Sequence, residues 1–199
     1  MSEREQSLRR DGVVVEITDS TRSGPSAAAA ADLVALVLRA EGAAPAEVGV
    51  AFVGERRIRR LNREHRGVDS VTDVLSFPLE EAGEWDDETG RRTEPVDETA
   101  EAHDDEAGPR GTGGDDDPWH GGGPAAAAGP PRLLGDVVIC VRQAARQAAV
   151  DGNPLSFELA VLLVHGLLHL LGWEHDERPG RMALRQAELL TDFDWSTLG

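Results

Sequence analysis

Residues 164–175, Val-His-Gly-Leu-Leu-His-Leu-Leu-Gly-Trp-Glu-His, constrain the fold of this chain more than any other segment. They hold three of the six histidines, spaced by four residues and then by six. On an α-helix, His165 and His169 project from one face a turn apart, so their rings can share a metal ion. Gly172 can end the helix in a left-handed conformation and bring His175 back toward the other two rings. Three histidines with one position left for water are typical of a catalytic zinc site.

The motif separates three kinds of metal site. A structural zinc site would need a fourth protein ligand. The single cysteine, Cys140, is distant in the sequence, and Asp176, directly after His175, is poorly aimed. Metzincin proteases share the spacing His-Glu-x-x-His-x-x-Gly-x-x-His, but Gly166 stands here in place of their general-base glutamate. The motif therefore predicts metal-assisted hydrolysis and argues against a peptide substrate.

Hydrophobic patterning predicts strands and helices on both sides of a polar segment. The predicted strands cover residues 13–18, 48–53, 72–78 and 133–140. The predicted helices cover residues 27–41, 54–66, 142–150, 157–171 and 181–190. Ser26 and Ser156 are candidate N-caps, and the last helix offers packing residues but no recognisable chemistry. Glu158 lies seven residues before His165 on the same helix face, where it is a candidate hydrogen-bond partner for that metal ligand.

The polar segment at about residues 80–131 differs from the rest of the chain. Gly, Pro, Asp, Glu and Ala dominate it, and it includes the runs Gly121–Gly123 and Ala125–Ala128. Such a composition buries too little apolar surface to offset the entropy lost on ordering. We expect one domain over residues 1–199, interrupted by a disordered acidic insertion.

The formal net charge of −17 is unevenly distributed along the 199 residues. Residues 80–132 hold 16 acidic side chains and 4 arginines, a local net charge of −12. Whole-chain charge is therefore a poor guide to partners. One cysteine excludes an internal disulfide, the N-terminus carries no apolar signal region, and no apolar run is long enough to cross a bilayer. We expect a cytoplasmic protein with no membrane association.

Residues 54–66 concentrate positive charge in a short predicted helix. Its arginines are Arg56, Arg57, Arg59, Arg60, Arg63 and Arg66. Ile58 and Leu61 at helical spacing give the helix one buried side and leave the arginines toward water. Two interpretations stay open, a solvated charged surface or a surface that binds phosphate groups.

Three segments in order carry a family resemblance. They are Arg66-Gly67 with Thr72–Pro78, then Leu134–Ile139, then His165–His175. Together they resemble the YbeY-type bacterial endoribonucleases, a family of rRNA maturation factors, from about Val13 to the C-terminus. Trp173 and Glu174 stand where the family usually has an aromatic residue and an aspartate, which keeps ring and charge. The insertion is longer than expected for the family.

The resemblance implies an α+β fold, a small mixed four-stranded sheet packed with helices, with the metal site on the long helix and the turn after it. It implies a cytoplasmic, metal-dependent endoribonuclease that cleaves single-stranded RNA in 16S rRNA 3′-end maturation and ribosome quality control. His165, His169 and His175 match the metal ligands, with Zn²⁺ as the expected ion, and Arg66 matches an arginine linked to cleavage. Expected partners are 16S rRNA, the small ribosomal subunit with its proteins, and a ribosome-assembly GTPase.

Two other functions remain open at the level of sequence. The chain could be a ribosome-assembly binding factor whose metal is mainly structural, because binding RNA and cleaving RNA need the same arginines. It could also be a metallopeptidase in which Glu174 or Glu158 replaces the missing general base. The absence of a glutamate at Gly166 disfavours that second alternative.

Overall fold

The computed structural model describes residues 3–21, 24–79, 131–173 and 180–199, with the backbone of 85–86 and 91–92. The chain divides into two compact units, one of residues 1–82 and 130–199 and one of residues 83–129. The predicted insertion at 80–131 lies almost entirely outside the described residues, so its disorder stays a prediction.

The described residues contain seven strands, β1 (Arg4–Arg10), β2 (Val13–Asp19), β3 (Ala46–Val53), β4 (Val74–Pro78), β5 (Trp85–Asp86), β6 (Arg91–Arg92) and β7 (Arg132–Cys140). In the first unit, five of them form a mixed sheet in the order β1-β2-β3-β7-β4. β2, β3 and β7 run parallel, while β1 and β4 pair antiparallel with β2 and β7. β5 and β6 form an antiparallel pair in the second unit.

The sheet of the first unit has one strand more than the predicted four, because Arg4–Arg10 also forms a strand. β1 is polar or charged except for Leu8 and is mostly exposed, so it lacks the alternating apolar pattern that marks a strand. Asp11 and Gly12 join it to β2 with φ angles of 48° and 85°. Two positive φ angles characterise a two-residue hairpin turn, which Asp-Gly favours. That dipeptide is the sequence signal for the missing strand.

The described residues contain five α-helices, α1 (Ala27–Ala40), α2 (Glu55–Arg66), α3 (Val141–Asp151), α4 (Leu155–Leu170) and α5 (Arg181–Thr191), and a 3₁₀ helix, Trp195–Leu198. All five predicted helices are confirmed to within two residues at each end. The α+β class is confirmed as well. None of these helices alone is long and apolar enough to span a membrane, and only α3 and α4 taken together, bent by 117°, reach that length and composition.

The ends of two helices test the predicted caps. Ser26 caps α1, since its Oγ accepts a hydrogen bond from the backbone N of Ala29 at 3.4 Å. Ser156 does not cap α4, because that helix begins one residue earlier and Pro154 occupies the N-cap position. The φ of −62° and ψ of 145° at Pro154 suit this place, since the proline ring fixes φ and an N-cap residue is extended.

The two faces of the sheet are covered unequally. On one face, α1, α4 and α5 build the larger core, which includes Leu33, Val50, Ile139, Leu163 and Leu189. On the other face, α2 contributes to a smaller cluster of five buried residues, Val53, Ile58, Leu75, Val138 and Cys140. Neighbouring residues of β4 mark the division, since Leu75 joins the smaller cluster and the next residue, Ser76, contacts α4. α2 and α4 therefore lie on opposite faces of the edge strand β4.

Candidate metal centre

His165 and His169 lie near the C-terminal end of α4, with their rings turned toward each other. Both are half-buried, the ring centroids are 4.7 Å apart and the ring planes meet at 82°. Nε2 of His169 lies 3.2 Å from Nε2 of His165. Two imidazole nitrogens at about 2.05 Å from one tetrahedral zinc ion would be ~3.3 Å apart. The pair therefore fits a shared metal ion.

Gln186 on α5 contacts the other ring nitrogen of His165. Its Oε1 lies 3.1 Å from Nδ1 of that ring. An amide oxygen can only accept, so Nδ1 carries the proton and Nε2 presents its lone pair to His169. Hydrogen bonds of this kind fix the tautomer and orientation of metal-binding histidines. The last helix, in which the sequence shows no recognisable chemistry, therefore contacts the candidate metal ligand His165.

Glu158 does not have the predicted role beside His165. The two residues are seven positions apart, about 10 Å along the helix axis, and Gln186 is the partner of the ring instead. Glu158 is buried, 6% exposed, and its side chain forms no hydrogen bond or ion pair with any described residue. Burial raises the pKa of this carboxyl group, and the negative charges of Asp151 and Asp73 raise it further. It is a buried acid at the opposite end of the helix.

The predicted reversal of the chain after α4 is confirmed. Gly172 has a φ of 74°, a left-handed conformation that glycine adopts without steric cost. The backbone N of Gly172 donates to His169 O, and that of Trp173 donates to Leu168 O, both at 2.9 Å. These two bonds form a Schellman motif that ends the helix. His175 lies outside the described residues, so its role as third ligand stays a prediction.

Trp173 ties the start of this turn to two other helices. Its Nε1 donates to Oε2 of Glu41 at 3.0 Å, and Nε of Arg185 donates to Oε1 of the same carboxylate at 2.7 Å. The guanidinium of Arg181 lies 5.5 Å from the centroid of the Trp173 ring. Glu41, at the end of α1, thus joins α5 to the chain that leads toward His175. Sequence analysis missed this role, and residues 132 positions apart carry no local signal of it.

Gly166 is required by the packing of α4 on the sheet. A Cβ built at this position would lie 2.5 Å from Cγ1 of Val137 and 3.2 Å from Oγ of Ser76. Ser76 also donates a hydrogen bond from Oγ to the Gly166 carbonyl at 3.1 Å. A glutamate at position 166 would therefore clash with β7 and β4. This close approach supports the prediction that the centre lacks the base of a metzincin protease.

Cys140 does not supply a fourth ligand to the histidine pair. It is fully buried in the smaller cluster, on the α2 face of the sheet. Burial raises the pKa of its thiol, which disfavours the thiolate that a metal requires. In the part of the chain that the structure describes, no three His, Cys, Asp or Glu side chains converge on a common point.

α2 carries the arginines on the other face of β4. The spacing i, i+3, i+4, i+7 and i+10 aligns five of them along one side of the helix, here called the arginine stripe, Arg56, Arg59, Arg60, Arg63 and Arg66. Arg66 is exposed in the last turn and, within the described residues, makes no ion pair. The rings of His65 and Phe77 make a T-shaped contact with their centroids 4.9 Å apart, which packs this end of the helix against β4. The structure therefore does not bring Arg66 into contact with His165 or His169.

A family model described as endoribonuclease YbeY matches residues 17–194 of this chain. That range holds the histidine pair, the turn after it and the arginine stripe. The chain belongs to the YbeY endoribonuclease family. The resemblance predicted from the three sequence segments is thereby confirmed. Membership of the YbeY family supports an endoribonuclease role, which implies an RNA substrate.

Relatives within the YbeY family differ in how far this chain covers them. The endoribonuclease YbeY of Moorella thermoacetica is 42% identical over 154 residues, 76% of this chain and 76% of that protein. The one of Anaeromyxobacter sp. (strain Fw109-5) is 40% identical over 158 residues, 78% of this chain but 58% of that protein. The solution structure of TM1509 from Thermotoga maritima superposes on this chain with a TM-score of 0.50 at 20% sequence identity. The match covers 89% of this chain and 87% of the TM1509 chain. That last likeness concerns the fold alone.

Proposed function

We propose that this chain is a metal-dependent endoribonuclease that cleaves single-stranded RNA at the His165–His169 pair. The observation that carries the proposal is the convergence of the two Nε2 atoms at 3.2 Å, with Nδ1 of one ring held by Gln186. Family membership supports RNA as the substrate. Zn²⁺ is the proposed ion, because imidazole nitrogens at tetrahedral spacing suit it, and His175 is the proposed third ligand.

Gln186, Ser76 and Gly166 would each position a different part of such a centre. A bound Zn²⁺ would supply a Lewis acid for a phosphoryl oxygen and would lower the pKa of water, so that hydroxide is available near neutral pH. Gln186 keeps the proton of His165 on Nδ1. Ser76 and Gly166 set the depth of α4 on the sheet, which positions the helix that carries both rings. A protein carboxylate acting as base is not needed at position 166.

Arg66 is proposed to contact phosphate oxygens whose negative charge grows during the reaction. A guanidinium group can contact two such oxygens at once. Arg66 lies on the α2 face and the histidine pair on the α4 face, with the edge strand β4 between them. An RNA strand that crosses the outer edge of β4 would reach both sides. The arginine stripe would then contact the backbone of the same strand.

The cellular role that we propose is 16S rRNA 3′-end maturation and ribosome quality control in the cytoplasm. The resemblance of the three sequence segments to rRNA maturation factors supports it. The proposed partners are the small ribosomal subunit with its proteins and a ribosome-assembly GTPase. The exposed arginine stripe supports contact with a polyanion such as rRNA.

The test is cleavage of single-stranded rRNA fragments by purified protein, with metal content measured on the same samples. Wild type is compared with His169→Ala and Arg66→Glu. We expect His169→Ala to lose both metal and cleavage. We expect Arg66→Glu to keep its metal and lose cleavage. Arg9→Glu makes the same change of charge on β1, at the opposite edge of the sheet, and should cleave like wild type.

Equal cleavage by wild type and both variants would identify a contaminating nuclease and refute the proposal. RNA binding and support of ribosome assembly by a metal-free, inactive His169→Ala protein would favour the alternative, a binding factor with a mainly structural metal. Cleavage of a peptide library would favour a metallopeptidase, which the clash at Gly166 opposes.

A further inference from the structure

The carboxylate of Asp69 lies between two arginines of the stripe. Its Oδ1 and Oδ2 accept from Nε and Nη2 of Arg59, both at 2.8 Å, which is a two-pronged contact. Nη1 of Arg63 lies 3.8 Å from Oδ1 of the same carboxylate. The other arginines of the stripe form a longer ion pair or none with the described residues. Arg60 lies 3.9 Å from Glu64, and Arg56 and Arg66 make no ion pair with any described residue.

The loop after α2 holds Asp69 in this place. Gly67 ends the helix with a φ of 70°, so the chain turns back along the arginine stripe. The buried side chain of Asn62 then donates from Nδ2 to the Ser70 carbonyl at 3.0 Å. Because the backbone is fixed at Gly67 before Asp69 and at Ser70 after it, forming the contact with Arg59 costs little further conformational entropy.

The contact resembles the way in which arginine binds phosphate. Carboxylates and phosphates both offer two oxygens that match the fork of a guanidinium group. All three side chains are about half-exposed, at 54%, 48% and 57% for Arg59, Asp69 and Arg63. An ion pair so open to water contributes little to stability, so a competing anion can replace the carboxylate at small cost.

We infer that Arg59 and Arg63 form a phosphate subsite for the RNA backbone, which the Asp69 carboxylate fills until a phosphate displaces it. The inference rests on the proposed function, since it names a second contact for the same RNA. Asp69 then acts as an internal competitor that weakens binding of any short or poorly placed anion. A strand that also contacts Arg66 displaces Asp69 more readily than free phosphate does, because several phosphates bind at once.

The Asp69 carboxylate keeps its negative charge, and with it the contact to Arg59, at neutral pH. The hydrogen bonds from Arg59 hold the pKa of Asp69 below its ordinary value, and Arg63 adds to the effect. The Asp69 side chain therefore stays ionised at neutral pH. Substitution, rather than a change of pH, is the way to remove it.

The experiment measures binding of a fluorescein-labelled single-stranded 2′-O-methyl RNA, which retains its phosphates, to the metal-loaded protein, and a gel run afterwards checks that the RNA is intact. Asp69→Asn should tighten binding roughly threefold to tenfold, the range of one or two exposed ion pairs expressed as an equilibrium constant. The slope of log K against log salt should change little, because the same phosphate occupies the subsite in both proteins. Glu3→Gln is the matched control, because it removes the same charge and releases another α2 arginine, Arg57, that lies off the stripe.

A second measurement does not depend on the stability of Asp69→Asn. Replacing Arg59 and Arg63 together by Gln should weaken RNA binding, and adding Asp69→Asn to that double variant should then have no effect. Equal tightening by Glu3→Gln and Asp69→Asn would overturn the inference, since long-range charge alone would explain both. Wild type that binds and cleaves RNA while Asp69→Asn leaves binding unchanged would refute the subsite alone. Wild type without any RNA binding would refute the proposed function with it.

Discussion

The two faces of the edge strand β4 hold the two halves of the candidate site in different ways. On the α4 face, the histidine pair sits above the larger core and each ring is positioned by short contacts, to Gln186 and to the other ring. On the α2 face, the arginine stripe sits above a five-residue cluster, and its contacts are exposed ion pairs. The α4 face therefore fixes the positions of its side chains, whereas the α2 face presents exposed positive charge.

The difference fits the roles proposed for the two groups. A metal ion tolerates little error in ligand position, so its ligands are held by packing and hydrogen bonds on a rigid secondary-structure element. A polyanion has a charge at every nucleotide, so an arginine that misses one phosphate can contact the next. Substitutions on the α4 face should therefore act through structure, and those on the α2 face through charge and ionic strength.

The largest effect is expected for Gln186→Leu, which removes the acceptor at Nδ1 of His165. The ring then loses its fixed tautomer, and metal affinity should fall roughly 10- to 100-fold. Competition against a zinc chelator measures this without any assay of activity. Gln186→Glu keeps an acceptor oxygen and should restore most of the affinity. Leu184→Ala, on an exposed position of the same helix, should leave it unchanged. Wild-type affinity in Gln186→Leu would show that the hydrogen bond positions nothing.

The next effect is a loss of stability in Gly166→Ala. The added methyl group meets the buried Val137 side chain, at a cost of about 1–3 kcal/mol, and the better helix propensity of alanine returns ~1 kcal/mol. The net cost of about 0–2 kcal/mol should lower the melting temperature by up to about 8 °C in a domain of this size. Val137→Ala opens space for the methyl group, so the double variant should be more stable than the sum of the two single changes. Simple additivity would mean that this contact does not set the approach of α4 to the sheet.

The elements of the first unit follow largely from local signals, and the exceptions have physical causes. Apolar patterning predicts the five described α-helices, though not the 3₁₀ helix Trp195–Leu198, because a helix satisfies its own backbone within a few residues of sequence. β1 escapes such reasoning, since an exposed, charged edge strand gains its order from pairing with β2 rather than from burial. The Asp11-Gly12 turn was the one local clue to it.

The candidate site divides in the same way. Spacing on one helix predicts the approach of His165 to His169, since both belong to α4. Gln186 and Glu41 could not be found, because their contacts depend on how α5 and α1 dock on α4 and on its turn. The candidate that sequence did offer, Glu158, shares a helix with His165 but lies two turns away.

A smaller effect, of opposite sign, is expected for Glu158→Gln. Because burial raises the pKa of Glu158 in the folded state, the folded protein keeps this proton at a pH where the unfolded chain has lost it. Stability therefore falls as pH rises from the ordinary value of 4.5 through the raised pKa. Glutamine removes that loss, because its amide stays uncharged across this pH range. The melting temperature should rise by about 2–4 °C near neutral pH, with no gain near pH 4. A gain that is equal at both pH values would exclude ionisation as its cause.

The smallest effect distinguishes two adjacent arginines on the α2 face. Arg56 lies on the stripe and has no carboxylate partner among the described residues, whereas Arg57 lies off the stripe and pairs with Glu3. Arg56→Gln should weaken binding of single-stranded RNA roughly two- to fivefold and reduce the salt slope by about 0.7. Arg57→Gln removes the same charge one residue away and should have less effect, with melting temperature and metal content unchanged in both proteins. Equal losses would mean that the α2 face acts as a diffuse field of charge, and a change in metal content would mean that the two faces of β4 are coupled.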